Sequence, residues 1–155
     1  MKGDEMDFTN ILTIITVIIG WMVVSKQHNN RETRKEIRQF LDKTILLIES
    51  LVNRVDACYT CKNIDQKEKK KQVLVIDIMR LDKNLSFLQS FISESISAAD
   101  VNEAITSCDS FDDINVSNET STKDLNNTAT KLYELIDNLE KAYRDTYHKR
   151  KKTTK

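Results

Sequence analysis

The feature that most constrains this chain is a run of seventeen uncharged residues, FTNILTIITVIIGWMVV, at positions 8–24. As a helix that rises about 1.5 Å per residue, the run covers roughly 26 Å, close to the hydrocarbon thickness of about 30 Å in a bilayer. Trp21, near the end of the run, is a residue type that favours the interface between lipid and water. We therefore predict a transmembrane helix at residues 8–25, preceded by a short extracytoplasmic N-terminus at residues 1–7.

Two other interpretations fit the run less well. A cleaved signal peptide begins with basic residues and ends in small ones, whereas residues 1–7 are mainly acidic and the run ends in Trp21-Met22-Val23-Val24. A buried helix that is apolar on every face needs a large domain around it, and the polar remainder of the chain does not supply one.

Charged residues lie unequally on the two sides of the run. Residues 1–7 contain one basic and three acidic residues, whereas residues 26–38 contain five basic and two acidic ones. Because basic flanks stay on the cytoplasmic side of a membrane, we predict an external N-terminus and a cytoplasmic C-terminal domain on a single-pass protein. The candidate residues of the membrane interface are Trp21, Lys26, Arg31, Arg34 and Lys35.

Proline is absent from the sequence and glycine occurs only at Gly3 and Gly20. Because these residue types end helices and form tight turns, their scarcity favours an all-α fold with long helices. After residue 25, three stretches repeat apolar residues at alternating spacings of four and three, which places one apolar stripe along each helix. The stripe residues that we expect to pack together are Ile37, Leu41, Ile48, Leu51, Leu74, Ile78, Leu81, Leu85, Leu88, Ile92, Leu132, Ile136 and Leu139.

These stripes predict a cytoplasmic helical domain at residues 26–147, with helices at about 26–57, 70–96 and 122–147. We expect a further short helix from Ala98, an N-cap for the last helix at Ser121 or Thr122, and a basic disordered tail at residues 148–155. The lysines at positions 67–71 are predicted to form a solvated loop. The helices would pack as an antiparallel three-helix bundle, as a coiled-coil-like hairpin plus a helix, or through an oligomer.

The motif Cys58-x-x-Cys61 is the one pattern with chemical content, since two such thiols can bind zinc or form a redox pair. The sequence offers no second pair, and Cys108, His28 and His148 are not at a spacing typical of zinc ligands. We expect both cysteines to serve only as small side chains near a helix end, without a role in metal binding or redox chemistry. We predict no metal, no cofactor and no catalytic residue, and therefore a non-enzymatic protein with no evident small-molecule substrate.

The basic segments have a more specific interpretation. Residues 26–38 would lie beside the membrane, where a basic residue near anionic headgroups contributes about 1 kcal/mol. The tail HKRKKTTK at positions 148–155 could return to the membrane surface, contact nucleic acid or solubilise the terminus. The formal net charge of the chain is zero, so we do not expect nucleic acid as a partner. The partners that we expect are membrane lipid and either another protein or a further copy of the chain.

The run Gly20-Trp21-Met22-Val23-Val24, followed by the polar HNNRETRKEIR and an amphipathic helix, resembles a loose class of small bacterial inner-membrane proteins. The resemblance covers roughly residues 10–55 and implies an N-terminal span, a cytoplasmic helical domain and an inner-membrane location. Some such proteins are encoded beside mobile elements or phage-defence genes.

Two functions fit these expectations. The first is a membrane-anchored helical interaction or regulatory protein that acts through its cytoplasmic bundle. The alternative is a small membrane-perturbing effector, such as a toxin, a holin-like protein or a defence-associated protein, that oligomerises through its span. In that case the polar and small residues of the run would form a helix-packing face, which is composed of Thr9, Thr13, Thr16 and Gly20.

Overall fold

A computed structural model describes residues 8–92 and 95–152, with side chains described at residues 14–92 and 95–147. Every regular element in these ranges is an α-helix, which confirms the all-α prediction. The helices are α1 (Phe8–Tyr59), α2 (Ile64–Gln89), α3 (Ala99–Thr106), α4 (Asp109–Asp112) and α5 (Asn118–Lys152). The chain divides into two compact units, Met1–Gln39 and Phe40–Lys155.

The predicted transmembrane helix lies only partly within the described residues. The predicted external segment at residues 1–7 lies outside them, as do the side chains of residues 8–13. Among the residues that are described, none of the helices combines the length with the apolar composition that a membrane crossing requires.

In the second unit, α1 and α2 form an antiparallel hairpin. Near the turn, Lys70 Nζ donates a hydrogen bond of 2.8 Å to the Ala57 carbonyl oxygen. At the far end of the hairpin, the rings of Phe40 and Phe87 lie with their centroids 4.5 Å apart. The two helices therefore run in opposite directions, and their apolar stripes face each other.

The apolar stripes of the hairpin are buried along their whole length. Leu41, Leu51 and Leu81 each expose 1% or less of their surface, and burial of such a side chain contributes about 1.5–3 kcal/mol. In the second unit, burial extends to all the predicted positions of these two stripes, namely Leu41, Ile48, Leu51, Leu74, Ile78, Leu81, Leu85, Leu88 and Ile92. In the first unit, the predicted position Ile37 is also buried.

α5 completes the second unit as its third long helix. Its early part lies beside the end of α1, because the hydroxyl of Tyr59 is 3.3 Å from that of Thr128. The buried face of α5 continues as far as Ala142, so the helix runs back along the hairpin, antiparallel to α1. α3 and α4 connect the hairpin to α5 and pack against α5.

The buried stripe of α5 differs from the predicted one by a rotation of the helix. Leu132 and Leu139 are fully buried as expected, but Ile136 is only half-buried, and the adjacent Leu135 exposes 5% of its surface. The stripe therefore includes Thr128, Leu135 and Ala142, whereas Ala129, Ile136 and Tyr143 are only half-buried. Thr128 belongs to the core because its hydroxyl is hydrogen-bonded there, and the small side chain of Ala142 is fully buried.

α2 begins six residues earlier than predicted and ends seven residues earlier. Its start is fixed by Asn63, whose side-chain oxygen accepts a 3.0 Å hydrogen bond from the backbone N–H of Gln66 and so caps the helix. Its end is at Gln89, where the Ser90 hydroxyl donates to the Phe87 carbonyl at 2.7 Å. Ile92 is buried, but it lies beyond the helix rather than on it.

The bounds of the last helix also differ from the prediction. The Ser117 hydroxyl accepts a 3.1 Å hydrogen bond from the N–H of Thr120, so α5 begins at Asn118, and the predicted caps at Ser121 and Thr122 lie inside the helix. Its helical backbone runs on to Lys152, where a disordered tail was predicted. Residues 153–155 lie outside the described residues.

Candidate functional site

The first candidate site is the apolar segment of α1. Its described apolar side chains are all about half-exposed or more, with Ile15 the least exposed at 47%. Because successive residues of a helix turn by about 100°, these side chains cover every face. The exposed set is Ile14, Ile15, Val17, Ile18, Ile19, Trp21, Met22, Val23 and Val24. A Cβ added at Gly20 would meet nothing within 4 Å, so the segment is open at this position as well.

Of the predicted residues of the membrane interface, Trp21 lies within this segment and the others follow it on α1. Trp21 is 71% exposed, Lys26, Arg31 and Lys35 are exposed, and Arg34 is half-buried. In the same stretch of helix, His28 and Glu32 lie 3.6 Å apart, one turn from each other. The segment therefore changes within a few residues from a surface that is apolar all round to one that is charged.

The prediction of a solvated lysine loop at residues 67–71 is wrong. These residues belong to α2, and Lys67 exposes only 3% of its surface while its Nζ donates a hydrogen bond to the Asp113 carbonyl oxygen. Lys70 is half-buried and binds a carbonyl oxygen at the end of α1. Buried ammonium groups need hydrogen-bond acceptors, and backbone carbonyls at helix ends and in loops supply them here.

Two further lysines bind the acidic segment that contains α4. Lys62 Nζ donates to the Val116 carbonyl oxygen at 3.0 Å. Lys71 Nζ lies 2.9 Å from Asp112 Oδ1 and 4.8 Å from the centre of the Phe111 ring. Together with Lys67, these side chains hold the segment at residues 111–116 against the start of α2. We call Lys62, Lys67 and Lys71 the lysine cluster.

A buried polar cluster joins α1, α5 and the end of α3. The Tyr59 hydroxyl donates to the Ile105 carbonyl oxygen at 2.9 Å and accepts from Cys108 Sγ at 2.9 Å. The Thr128 hydroxyl donates to the Ala104 carbonyl oxygen at 3.1 Å. Burial, and then the hydrogen bond with Cys108, raise the pKa of Tyr59 well above its ordinary value. The phenol is therefore a neutral hydrogen-bonding group of the core.

Asp77 is a buried carboxylate that was not among the residues predicted from the sequence. It is 2% exposed and pairs with the guanidinium of Arg54 across the hairpin, while Arg80 Nη1 lies 3.9 Å from Asp77 Oδ1. Its position gave a signal, because Asp77 stands between Leu74 and Ile78 on the apolar face of α2. An acidic residue inside an apolar stripe requires a cationic partner on the facing helix.

The cysteine motif packs in the turn between α1 and α2. Cys58 is fully buried and Cys61 is 8% exposed, and both are free thiols. Desolvation raises the pKa of Cys58, although the nearby Lys67 and Lys71 lower it in part. Since metal binding and nucleophilic attack require the thiolate, this environment disfavours both. Among the residues described, no three His, Cys, Asp or Glu side chains form a group that could hold a metal ion.

Two open clefts lie on either side of α3. One, of about 460 Å³, is bordered by Asp100, Lys131 and Glu134, where Lys131 Nζ is 2.9 Å from Glu134 Oε2. The other, of about 440 Å³, lies between α3 and α2 and is bordered by Val75 and Met79. Both are surface grooves between helices rather than enclosed pockets.

Comparisons of this chain with protein families, with characterised proteins and with solved structures found no match. The functional interpretation therefore depends on the chemistry and exposure of the chain's own residues.

Proposed function

We propose that this chain is a non-enzymatic, membrane-anchored helical protein that acts through its bundle on a protein partner or on a further copy of itself. In this proposal the apolar segment of α1 crosses a bacterial inner membrane and the bundle lies in the cytoplasm. The observation that carries the proposal is the exposure of apolar side chains on every face of α1 between Ile14 and Val24.

Such exposure has a large free-energy cost in water, about 25 cal/mol for each Å² of apolar surface. A single protein partner covers one face of a helix, whereas lipid covers all faces at once. A helix also satisfies its own backbone hydrogen bonds, which is the condition for crossing a bilayer. The basic residues that follow the segment, including Lys26 and Arg31, support the cytoplasmic orientation of the bundle.

The bundle supports an interaction role rather than a catalytic one. Two of its buried ionisable groups are engaged in contacts within the fold, since Asp77 pairs with Arg54 and Lys67 donates to the Asp113 carbonyl oxygen. The outer face of α2 instead exposes Val75 by 43%, Ile76 by 57% and Met79 by 68%. Neighbouring exposed apolar residues of this kind are typical of surfaces that other proteins cover.

The membrane anchor is tested by expressing the full chain in bacteria and extracting the membranes with alkaline carbonate. We expect the protein to stay in the membrane pellet and a reporter fused after Lys155 to be active in the cytoplasm. Ile18→Asp places a charge in the apolar segment, at a cost of about 2.5–3.5 kcal/mol near the centre of a span, and should release the protein. Leu46→Asp, at another exposed apolar position of α1, is the matched control and should not.

Release of the unaltered chain by carbonate would overturn the anchor. Inhibition of growth by the unaltered chain, relieved by Ile18→Asp but not by Leu46→Asp, would instead favour a membrane-perturbing effector. A passive anchor is harmless at the same level of expression, so the two functions are separated by one experiment.

A further inference from the structure

α2 carries a second row of regularly spaced residues besides the apolar stripe that it buries. The members of this row recur at alternating spacings of three and four, which places them along one side of the helix. They are Val73, Ile76, Arg80, Lys83 and Phe87. The three apolar residues of the row expose between 46% and 57% of their surfaces, and the two basic ones are exposed as well.

α1 carries a corresponding row over the same length of the hairpin. Its members also recur at spacings of three and four, and they are Phe40, Lys43, Leu47, Ser50 and Arg54. The two basic residues of this row are exposed and the other three are half-buried. Each helix of the hairpin therefore has one side in the core and a second patterned side outside it.

Two contacts place the rows next to each other. The ring of Phe40 lies with its centroid 4.5 Å from that of Phe87. At the other end of the rows, Arg54 pairs with Asp77, and Asp77 Oδ1 is 3.9 Å from Arg80 Nη1. The two rows therefore form one continuous surface of ten residues, which we call the second face.

The remaining helices of the bundle leave the second face uncovered. α5 meets α1 at Tyr59, which follows Arg54 by five residues and is therefore rotated from it by about 140° around the helix. Ile76 and Phe87 remain about half-exposed in the assembled bundle. The hairpin thus packs against α5 on one side and presents the second face on another.

The second face is basic. Four of its ten residues are Lys or Arg and none is acidic. Asp77 lies between the rows, but it is 2% exposed and is engaged with the two guanidinium groups. The side chains of Arg54 and Arg80 are 45% and 63% exposed, and one carboxylate occupies only part of their N–H donors. Both guanidinium groups are therefore positioned to bind a further carboxylate from outside.

We propose that the second face binds an acidic amphipathic helix of another protein, which packs along the hairpin as a fourth helix. This inference rests on the proposed function, because it names the kind of partner on which the bundle acts. A fourth helix would cover the apolar residues of both rows and bring carboxylates to Arg54 and Arg80. Binding between charged faces of opposite sign also gives rapid and selective association.

Other occupants fit the second face less well. A further copy of the chain that packs through the same face would bring cations against cations, which is unfavourable. A nucleic acid presents a continuous row of phosphates, which does not match Val73, Ile76 and Phe87. A helix that lies on a bilayer separates its apolar and basic residues onto opposite sides, whereas the row on α2 contains both.

The spacing of the row on α2 predicts the pattern of the partner helix. Arg80 follows Ile76 by four residues and precedes Phe87 by seven. A partner that lies along α2 rises by the same amount of about 1.5 Å per residue. We therefore expect an apolar residue, an Asp or Glu four positions later and an apolar residue seven positions after that, or the reverse order in an antiparallel partner.

The test screens the full chain, purified in a zwitterionic detergent, against a yeast-displayed library of helical peptides of about twenty residues, the length of the row. Each library position varies among Ala, Leu, Phe, Gln, Lys and Glu. We expect the enriched peptides to share the apolar, acidic, apolar spacing. One enriched peptide, synthesised with a fluorescent label, is then the probe for affinity measurements by anisotropy.

Removal of charge from the second face should weaken binding of this probe. Lys43→Gln combined with Lys83→Gln should lower the affinity roughly tenfold, from about threefold for each exposed ion pair. Lys123→Gln combined with Lys141→Gln removes the same charge from two exposed positions of α5 and should leave the affinity unchanged. Substitutions at exposed positions are not expected to unfold the bundle, which circular dichroism checks.

Removal of apolar surface should act in the same direction. Ile76→Ser deletes apolar area that the partner would cover, and it should lower the affinity roughly tenfold. Ile64→Ser is the matched control, because Ile64 is 71% exposed on the same helix but lies outside the row. We expect the control to bind as the wild-type protein does.

The inference is overturned if no peptide is enriched, if the enriched peptides lack acidic residues, or if the control variants lose as much affinity as the variants of the second face. Alkaline carbonate extraction tests the membrane anchor separately, so the proposed function can stand when the inference fails. If peptide binding holds while carbonate releases the chain, the second face stands and the anchor is wrong.

Three further results would assign the second face to another occupant and so overturn the inference. The first is binding of anionic vesicles, lost in the Lys43 and Lys83 double variant, without an enriched peptide. The second is the same result with duplex DNA. The third is self-association of the chain that Ile76→Ser abolishes.

Discussion

The hydroxyl groups of Tyr59 and Thr128 lie 3.3 Å apart in the interior of the bundle, although sixty-nine residues separate them in the sequence. Tyr59 belongs to the last turn of α1 and Thr128 to the third turn of α5. Both hydroxyls also bind carbonyl oxygens at the end of α3. This contact fixes which face of α5 turns towards the hairpin.

Removal of the Tyr59 hydroxyl should therefore weaken the fold. Tyr59→Phe removes the buried donor to the Ile105 carbonyl oxygen and should lower the free energy of unfolding by about 1–2 kcal/mol. Tyr133→Phe, at a side chain that is 54% exposed, is the matched control and should change it by less than about 0.5 kcal/mol. Thermal unfolding of the full chain in detergent, followed by circular dichroism, measures both. Equal melting temperatures for the two variants would contradict the structural role.

Alkaline pH should destabilise the bundle through Tyr59. Burial raises the pKa of Tyr59 in the folded state above its ordinary value of 10.0, so above that value the unfolded chain loses a proton that the folded chain keeps. The stabilising contribution is complete below the unfolded pKa and is lost as the pH rises towards the folded pKa. Denaturant titrations of the wild-type protein and Tyr59→Phe from neutral to alkaline pH test this, and the variant should show the shallower decline.

Alkaline pH should also destabilise the bundle through Cys58, because burial raises the pKa of this thiol above its ordinary value of 9.0. This effect should begin at a lower pH than the effect of Tyr59. Cys58→Ala should remove the part of the decline that begins near that value. An identical pH profile in Cys58→Ala and the wild-type protein would show that the thiol is solvated rather than buried.

Truncation of the α2 core should unfold the bundle. Leu81 and Leu85 expose 0% and 1% of their surfaces, and each change to Ala should cost about 2–5 kcal/mol. A small domain has roughly 5–15 kcal/mol of stability, so the double variant should be largely unfolded by circular dichroism. Met79→Ala lies on the same helix at a side chain that is 68% exposed, and it should melt within a few degrees of the wild-type protein.

Loss of the Lys67 hydrogen bond should loosen the acidic segment. Lys67→Met retains most of the buried side-chain volume but removes the donor to the Asp113 carbonyl, at a cost of about 1–3 kcal/mol. Amide hydrogen exchange at residues 111–116 should become faster, since the lysine cluster holds this segment. Lys69→Met, at an exposed neighbouring position, should leave that exchange unchanged. If both variants exchange alike, the segment is held by other contacts.

The helical hairpin could be predicted from the sequence because its packing surface is apolar. Most of the buried positions on α1 and α2 are Ile, Leu or Val, so the four-three spacing of apolar residues marks the buried face. On α5, the same spacing rule predicted the wrong buried residues. There the structure buries Thr128 and Ala142, which carry a weak apolar signal, whereas Ile136 and Tyr143 carry a stronger one and are only half-buried.

The polar contacts of the bundle could not be predicted by spacing. Lys67 and Asp113 are forty-six residues apart, and a run of lysines with little apolar content is more often a solvated surface than a set of buried donors. The helix that contains these lysines did give a local signal in Asn63 and Gln66, three residues apart, which form the N-cap. The prediction of a loop followed from the low hydrophobicity of residues 64–71, although Asn63 is a residue type that favours the start of a helix.

The antiparallel hairpin has a consequence for the order in which the protein folds during synthesis. Arg54 and Asp77 are only twenty-three residues apart, so their helices can pair soon after both have left the ribosome. Tyr59 then faces solvent until Thr128 has been translated, and at about 5–20 residues per second that interval lasts several seconds. Throughout it the hairpin displays one uncovered apolar side. A chaperone or a second nascent chain on the same messenger RNA therefore meets this surface before α5 covers it.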